Sequence, residues 1–267
     1  MEIIGYVCAM LVGVSLGTLG SGGSILTVPI MVYLMHINPV DATGYSLFVV
    51  GITSAIGTGN FIRKDLVDIK TAVIFAIPSL ISVFLTRKFL LTAIPGTIIT
   101  TSAFVVSKEL FIMVLFALLM IIVAFTMIRK DDFEEIEEIK IRQPDYFWLK
   151  FVGLVSGVLT GLTGVGGGFI IIPALVLFAK VSIRMSVGTS LLIITANSFI
   201  GFTGELLTKH EVIDYKFLLT FAFFSIIGIF IGLRLSLKIT ATRLKKIFGW
   251  FILTTGMYVF VKEIFFQ

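Results

Sequence analysis

Residues 13–24 read GVSLGTLGSGGS and residues 157–168 read GVLTGLTGVGGG, which repeats the same glycine spacing at one fixed offset. Each copy runs on to an apolar residue followed by a proline, at Pro29 and at Pro173. The offset continues without a gap, pairing Gly44 with Gly188, Ser46 with Ser190, Thr53–Ser54 with Asn197–Ser198, and Gly57 with Gly201. Such a long register predicts an internal duplication, with an interrupted apolar segment at the same place in both halves.

The composition around these motifs is that of a membrane protein. Of 267 residues, 57% are apolar and only 14% are charged, and the mean hydropathy is +1.09. A soluble fold has too little polar surface to cover so many apolar side chains, so the sequence predicts an all-α polytopic membrane protein. The net charge of +5 does not indicate nucleic-acid binding, because the basic residues lie in short loops between apolar segments.

Apolar stretches of helical length recur along the whole chain, five in each half. We predict segments at 3–19, 24–37, 42–61, 70–86 and 109–128, followed by 148–163, 168–180, 186–204, 215–234 and 244–264. They define a first membrane repeat over 1–128, a linker over 129–147 and a second repeat over 148–267. The intervening stretch 87–108 is open to two interpretations, an external loop or an interfacial segment.

The Gly-rich segments allow two topologies. Segment 24–37 extends only about 21 Å as a helix, less than the roughly 30 Å of a hydrocarbon core. Each Gly-rich stretch is therefore either part of one broken span, giving eight spans, or the tip of a V-shaped pair, giving ten segments. With eight spans, the 21 Lys and Arg residues divide almost evenly between the two membrane faces. With ten segments, fifteen of the 21 lie on one face, which is the bias expected of a cytoplasmic face.

We therefore expect ten segments, with both termini outside and the 129–147 loop in the cytoplasm. Because five is an odd number, the two halves must be inserted upside down relative to each other. The sequence thus predicts two inverted-topology repeats with Gly-rich broken or re-entrant helices, the usual architecture of alternating-access carriers.

The glycines fall into two groups. Gly13/Gly17 and Gly157/Gly161 have the spacing that lets helices approach closely, and we interpret them as packing residues. The denser groups that follow exceed what packing requires and immediately precede a helix, whose unpaired N–H groups and dipole attract anions. The candidate substrate-binding residues there are Gly20, Ser21, Gly22, Gly23 and Ser24 in the first copy, and Gly164, Gly166, Gly167 and Gly168 in the second.

The third segment of each half adds polar side chains. Thr53, Ser54, Asn197 and Ser198 fall deep in the bilayer, where they either line a substrate path or bond back to their own helix. Ser46, Thr189 and Ser190 lie nearer a segment start, where path lining and helix capping are both consistent with the sequence.

Ionisable residues are nearly absent from the predicted spans, with no Asp, Glu or Lys expected at mid-membrane. This argues against a carrier of sodium or metal ions and favours an anion. Glu205, Asp41, His36 and His210 are expected at segment ends on the outer face, where Glu205 or a histidine could carry a coupling proton. We find no metal-ligand cluster, catalytic constellation or nucleotide loop, so neither enzymatic activity nor a cofactor is predicted.

The duplicated Gly-rich motif ending in proline, together with the Gly44–Ser46 and Gly188–Ser190 elements, resembles the sulfite exporter/anion permease family known as TauE/SafE. The resemblance covers nearly the whole chain. It implies a prokaryotic plasma-membrane protein that moves sulfur-containing anions, often outward. The two halves differ at Ser24 against Gly168 and at Tyr45 against Thr189, so the resemblance does not specify the substrate.

Three hypotheses follow. The first is a secondary carrier of small anions, with sulfur oxyanions or organosulfonates as substrates and protons as a candidate coupling ion. The second is an anion-selective channel with the same binding groups. The third is a non-transporting membrane scaffold, in which the glycines serve packing alone.

Overall fold

The computed structural model describes residues 2–20, 22–101, 104–129, 145–208, 214–236 and 241–265. Ser21, His210 and nearly all of the predicted linker 129–147 lie outside these ranges. Within them the fold is all-α, apart from one two-stranded hairpin.

The described residues of the first half form five helices. The second of them is irregular, with a 3-10 turn at Gly22–Leu26, an α-helical turn at Thr27–Pro29 and a π-helical turn at Ile30–Leu34, which together we call α2. The others are α1 at Glu2–Leu19, α3 at Pro39–Ile62, α4 at Ile69–Leu85 and α5 at Lys108–Arg129. The second half repeats this order with α6 at Tyr146–Thr163, α7 at Gly168–Leu177, α8 at Ile183–Thr208, α9 at Tyr215–Leu235 and α10 at Ala241–Phe265.

Every predicted segment corresponds to one of these helices. The largest difference is at 87–108, where α4 continues through a π-helical turn at Thr86–Leu90 and a last turn at Leu91–Ala93. A hairpin then follows, with Thr97–Thr101 (β1) antiparallel to Phe104–Ser107 (β2). The predicted segment ends at residue 86, but Arg87 is buried and paired, and the helix continues past it.

The first two helices of each half run antiparallel to each other. In the first half, Gly5 near the start of α1 lies against Met35, and Gly23 at the start of α2 lies against Ser15 and Leu16. The chain therefore reverses direction at the Gly-rich stretch. It forms a V-shaped pair and not a single broken span.

The second half reverses in the same way. The backbone N–H of Asp145, just before α6, donates to the carbonyl of Phe178 at the end of α7 at 2.8 Å. Trp148 of α6 stacks on the Phe178 ring. Each Gly-rich stretch is thus the tip of a helical hairpin.

The two halves contact each other through what we call exchanged pairs, in which the first helix of one half packs against the fourth helix of the other. α1 packs along α9, and α6 packs along α4, which occupies the same place in the other half. Both contacts use glycine: Gly13 lies against the Ser225 carbonyl, and Gly157 lies against the Ser79 carbonyl. The packing role expected for the Gly-x-x-x-Gly pairs is therefore present, because any larger side chain would separate the two backbones.

In the remaining pairs, which we call like pairs, a helix packs against its counterpart in the other half. α3 packs against α8 and α5 packs against α10. Gly44 lies against Glu205 and Gly188 lies against Phe61, so α3 and α8 pack antiparallel along their length.

Six helices of the described residues are long and apolar enough to cross a membrane, at 39–62, 69–93, 108–128, 146–163, 184–208 and 215–235. The helices at 4–19 and 23–34 are apolar but shorter. Large apolar side chains such as Ile122, Phe147 and Phe223 are more than half exposed. An apolar exterior around a packed interior is what contact with lipid requires, so the chain is a multi-pass membrane protein.

Candidate functional site

The hairpin tip of the second half has an unusual backbone. Gly164 ends α6 with φ +71°, and Gly167 precedes α7 with φ +68°. Side chains other than glycine rarely adopt this left-handed conformation. The turn directs the first backbone N–H groups of α7, which have no carbonyl partner within their own helix, towards the tip of the hairpin.

Buried hydroxyl groups surround this turn. A methyl group at Gly167 would lie 2.5 Å from the Ser156 hydroxyl oxygen and would also collide with that of Thr160. A methyl group at Gly166 would lie 3.5 Å from the Ser198 hydroxyl oxygen. All three hydroxyl groups are fully buried and have no hydrogen-bond partner in the described part of the chain.

These unpaired hydroxyls are informative because Ser and Thr in a helix ordinarily bond back to a carbonyl of the preceding turn. Thr163 of the same helix does so, donating to the Leu159 carbonyl at 2.7 Å. Ser156 and Thr160 are one turn apart on the same face of α6. Their donors are therefore available to a ligand at the turn.

Asn197 extends the polar group along α8. Its Nδ2 donates to Ser79 Oγ at 2.8 Å, whereas its buried Oδ1 has no partner in the described ranges. Because the Ser79 hydroxyl can donate as well as accept, reversing the amide would keep this bond and leave an N–H free instead.

The tip of the first half is less polar. Gly20 has φ +74° and lies against Val187 and Ser190 of α8. The positions on α1 that correspond to Ser156 and Thr160 are Val12 and Leu16, both fully buried. The two copies therefore differ: the second turn has three glycines with positive φ and lies beside three unpaired buried hydroxyls, whereas the first, among its described residues, has positive φ only at Gly20.

Only some of the candidate residues in the first Gly-rich stretch lie near the second hairpin. The 3-10 turn at Gly22–Leu26, which directly follows the first tip, contacts α7, which directly follows the second. Ser24 is fully buried there. Gly23, in contrast, lies against the α1 backbone at Leu16, so it serves close packing. Ser21 is outside the described residues.

The polar groups of α3 bond largely within their own helix. Thr53 donates to the Val49 carbonyl at 2.7 Å, and Ser54 donates to the Val50 carbonyl at 2.5 Å. Thr195 Oγ1 of α8 donates to Ser54 Oγ at 3.1 Å, which links the two helices. Of the four residues predicted deep in these helices, Asn197 and Ser198 thus keep unpaired atoms, whereas both α3 hydroxyls are engaged.

Ser46, Thr189 and Ser190 are not helix caps. Asn38 caps α3 by accepting from the Val40 N–H at 2.9 Å, and Ser46 lies about two turns further along. The Ser46 hydroxyl lies 2.6 Å from the Gly164 carbonyl and so fastens the second tip to α3.

The other two residues tie the start of α8 to its surroundings. Thr189 accepts from the Asp68 N–H at 2.9 Å, which holds the start of α4. Ser190 donates to the Val187 carbonyl at 2.8 Å and lies beside Gly20.

Glu205 lies near the end of α8, as expected, but inside the protein: it is 6% exposed and lies 2.9 Å from Arg87, which is 1% exposed. The protein interior near this helix end therefore contains an acidic residue, paired with an arginine. The sequence did not reveal this pair, because Arg87 falls just past a hydrophobic segment and its partner is 118 positions away.

Of the other ionisable residues expected at segment ends, the structure describes His36 and Asp41. His36 is exposed. It and Asp41 line a cavity of about 510 Å³ between the end of α2 and the starts of α3 and α9. Among the described residues, no cluster of His, Cys, Asp and Glu has the arrangement needed to hold a metal ion.

Comparison with known proteins supports the sequence resemblance. A family model described as "Sulfite exporter TauE/SafE" matches residues 6–259. A "Probable membrane transporter protein" of Xylella fastidiosa (strain Temecula1 / ATCC 700964) is 28% identical over 253 residues, covering 93% of this chain and 91% of that protein. "Probable membrane transporter protein YunE" of Bacillus subtilis (strain 168) is 27% identical, covering 77% of this chain and 80% of its own length.

No solved structure shows a significant match to the chain. The family match spans almost all ten helices, including both Gly-rich hairpins, and confirms the resemblance stated above. The chain belongs to the TauE/SafE sulfite exporter family of membrane transporters.

Proposed function

We propose that the protein is a secondary carrier of small anions, with sulfur oxyanions or organosulfonates as its substrate class. The family description supplies the substrate class, and the residues around Gly167 supply chemistry suited to it. The proposed location is the plasma membrane of a prokaryote, with the 129–147 loop in the cytoplasm.

The observation that carries this proposal is the set of unpaired donors at the second hairpin tip. Ser156, Thr160 and Ser198 present buried hydroxyls around the start of α7, whose N–H groups and dipole also favour negative charge. In the described chain, none of these three hydroxyls donates a hydrogen bond to a carboxylate. Neutral donors of this kind bind the oxygens of a sulfite or sulfonate group without repelling its charge.

Alternating access is the proposed mechanism. The exchanged pairs α1–α9 and α6–α4, and the like pairs α3–α8 and α5–α10, are the contacts that two inverted halves would make. In such a molecule, each hairpin tip takes up in one state the environment of its counterpart in the other. The anion would be released when the α6–α7 hairpin moves relative to the α3–α8 pair.

The test is flux into proteoliposomes containing the purified full-length protein. We expect saturable uptake of ³⁵S-sulfite that is accelerated by unlabelled sulfite inside the vesicles. Such counterflow requires a carrier, because a channel does not couple opposing fluxes. Thiosulfate, taurine and acetate as competitors define the substrate class. Non-saturable uptake without counterflow would identify a channel, and absence of flux with every anion would contradict transport of this class.

A further inference from the structure

Arg87 and Glu205, which form an ion pair, are the most deeply buried charged side chains of the described residues. Arg87 Nη1 donates to Glu205 Oε2 at 2.9 Å, and the side chains are 0% and 8% exposed. Removing two charges from water is unfavourable, and one hydrogen bond does not satisfy a guanidinium group with five donors. A pair that served only to stabilise the fold would be expected to use more of them.

The unused donors of Arg87 have a definite geometry. Nε and Nη2 are both buried and have no partner within the described ranges. Their N–H bonds lie along the same edge of the planar guanidinium group and point in parallel, whereas Glu205 occupies Nη1. That free edge matches two oxygens of one oxyanion, such as a sulfite, sulfonate or carboxylate group.

The pair lies beside the α6–α7 hairpin. Thr86, the residue before Arg87, lies against Gly161 near the end of α6, and Gly204 lies against the Arg87 side chain. The Glu205 carboxylate lies against Gly44 of α3. The same turn of α3 holds the hairpin tip, because Ser46 contacts the Gly164 carbonyl.

We propose that Arg87 binds the transported anion through its Nε–Nη2 edge, as a second recognition group in addition to the donors at the hairpin tip. Glu205 compensates the arginine charge when no anion is bound and holds the guanidinium edge free. This inference rests on the proposed transport of oxyanions, and it names the cationic group that recognises them.

The test is the thermal unfolding midpoint of the purified full-length protein as a function of sulfite concentration. Chloride, which has no oxygen atoms to accept two parallel hydrogen bonds, is the control anion. Three variants are compared with the wild type. Arg87→Lys keeps the charge and loses the two-pronged edge. Arg87→Met combined with Glu205→Met removes both charges, so that neither remains buried alone. Lys88→Gln removes one charge from the adjacent exposed position.

We expect sulfite to raise the midpoint of the wild type, because a ligand that binds the folded state stabilises it. The half-stabilising sulfite concentration should rise at least about tenfold in Arg87→Lys and in the double variant. It should stay within about twofold of the wild type in Lys88→Gln. Chloride should not reproduce the wild-type effect.

Two results would overturn the assignment. One is unchanged stabilisation by sulfite in both Arg87 variants, even if the protein transports sulfite, in which case the carrier proposal survives alone. The other is absence of stabilisation of the wild type by sulfite, thiosulfate and sulfate. If sulfite stabilises the protein in an Arg87-dependent way but no flux is seen in proteoliposomes, the proposed binding site is supported and the proposed carrier function is contradicted.

Discussion

The α6 helix contains three hydroxyl residues that the sequence does not distinguish. Ser156, Thr160 and Thr163 lie within two turns, but only Thr163 donates to a carbonyl of its own helix. The difference arises from their positions relative to Gly167, which lies against the first two. A hydroxyl that faces the start of another helix can serve a ligand, whereas one that bonds to its own backbone has no free donor.

Replacing the unpaired hydroxyls should weaken substrate binding and leave the fold intact. For Ser156→Ala combined with Thr160→Val we expect the apparent KM for ³⁵S-sulfite uptake to rise at least about tenfold, since a hydrogen bond to a charged group contributes about 1.5–3 kcal/mol. Thr163→Val is the matched control and should leave KM unchanged. An unaltered KM in the double variant would exclude these hydroxyls from the site.

Gly167 should not tolerate any side chain. Gly167→Ala would place a methyl group 2.5 Å from the Ser156 hydroxyl oxygen, at a positive φ that costs a residue other than glycine about 1–3 kcal/mol. We expect loss of sulfite uptake and a lowered unfolding midpoint, with normal insertion into the membrane. Wild-type flux in this variant would show that the tip conformation is not required.

At the scale of helices, glycine determines how closely the exchanged pairs approach. On the α1–α9 interface, Gly13 lies against the Ser225 carbonyl, and Gly228 of α9 lies against the Met10 carbonyl. Two helices that contact backbone to backbone gain van der Waals attraction over their whole length, which is a main driving force for association in lipid. The same substitution should therefore have opposite effects at different glycines.

Gly13→Ala and Gly59→Ala provide this comparison. A methyl group at Gly13 would collide with the Ser225 backbone, whereas nothing lies within 4 Å of one at Gly59. We expect Gly13→Ala to lower the unfolding midpoint and Gly59→Ala to leave it unchanged or raise it, since alanine favours a helix by about 0.5–1 kcal/mol over glycine. Equal midpoints for the two variants would show that the α1–α9 contact does not depend on glycine.

At the scale of the whole molecule, the direction of each helix sets the membrane topology. In the proposed topology, each half begins with a hairpin that returns to its starting side and continues with three further long helices that each cross the membrane. On that proposal, the chain enters its second half from the opposite side of the membrane. This order, combined with the distribution of basic residues, gives the orientation proposed above.

Accessibility of single cysteines tests that orientation. In a Cys8→Ala background, Gly96→Cys precedes the hairpin after α4, and Lys64→Cys lies before α4; both positions are exposed. We expect a membrane-impermeant maleimide added to intact cells to label position 96 only, and to label position 64 after permeabilisation. The opposite pattern would invert the orientation, and labelling of both in intact cells would contradict a spanning α4.

Much of the architecture follows from local sequence patterns: the membrane class, the ten helices of the described residues with nearly their observed bounds, and the two Gly-rich tips. These features are local, because hydrophobic stretches, glycines and prolines act on the chain within a few residues of themselves. The sequence also made Asn197 and Ser198 candidates, because polar groups are unusual in an apolar helix, and each keeps an unpaired buried atom in the described structure.

Which hydroxyls are free and which charges are buried depends on how the helices pack together. Thr53 and Ser54 resemble Ser156 and Thr160 in type, yet bond within their own helix, because no hairpin tip competes for them. Arg87 resembles a loop residue until α8 brings Glu205 beside it across 118 positions of chain. Availability for a ligand depends on what neighbouring helices leave unpaired, and that information exists only once the chain has packed.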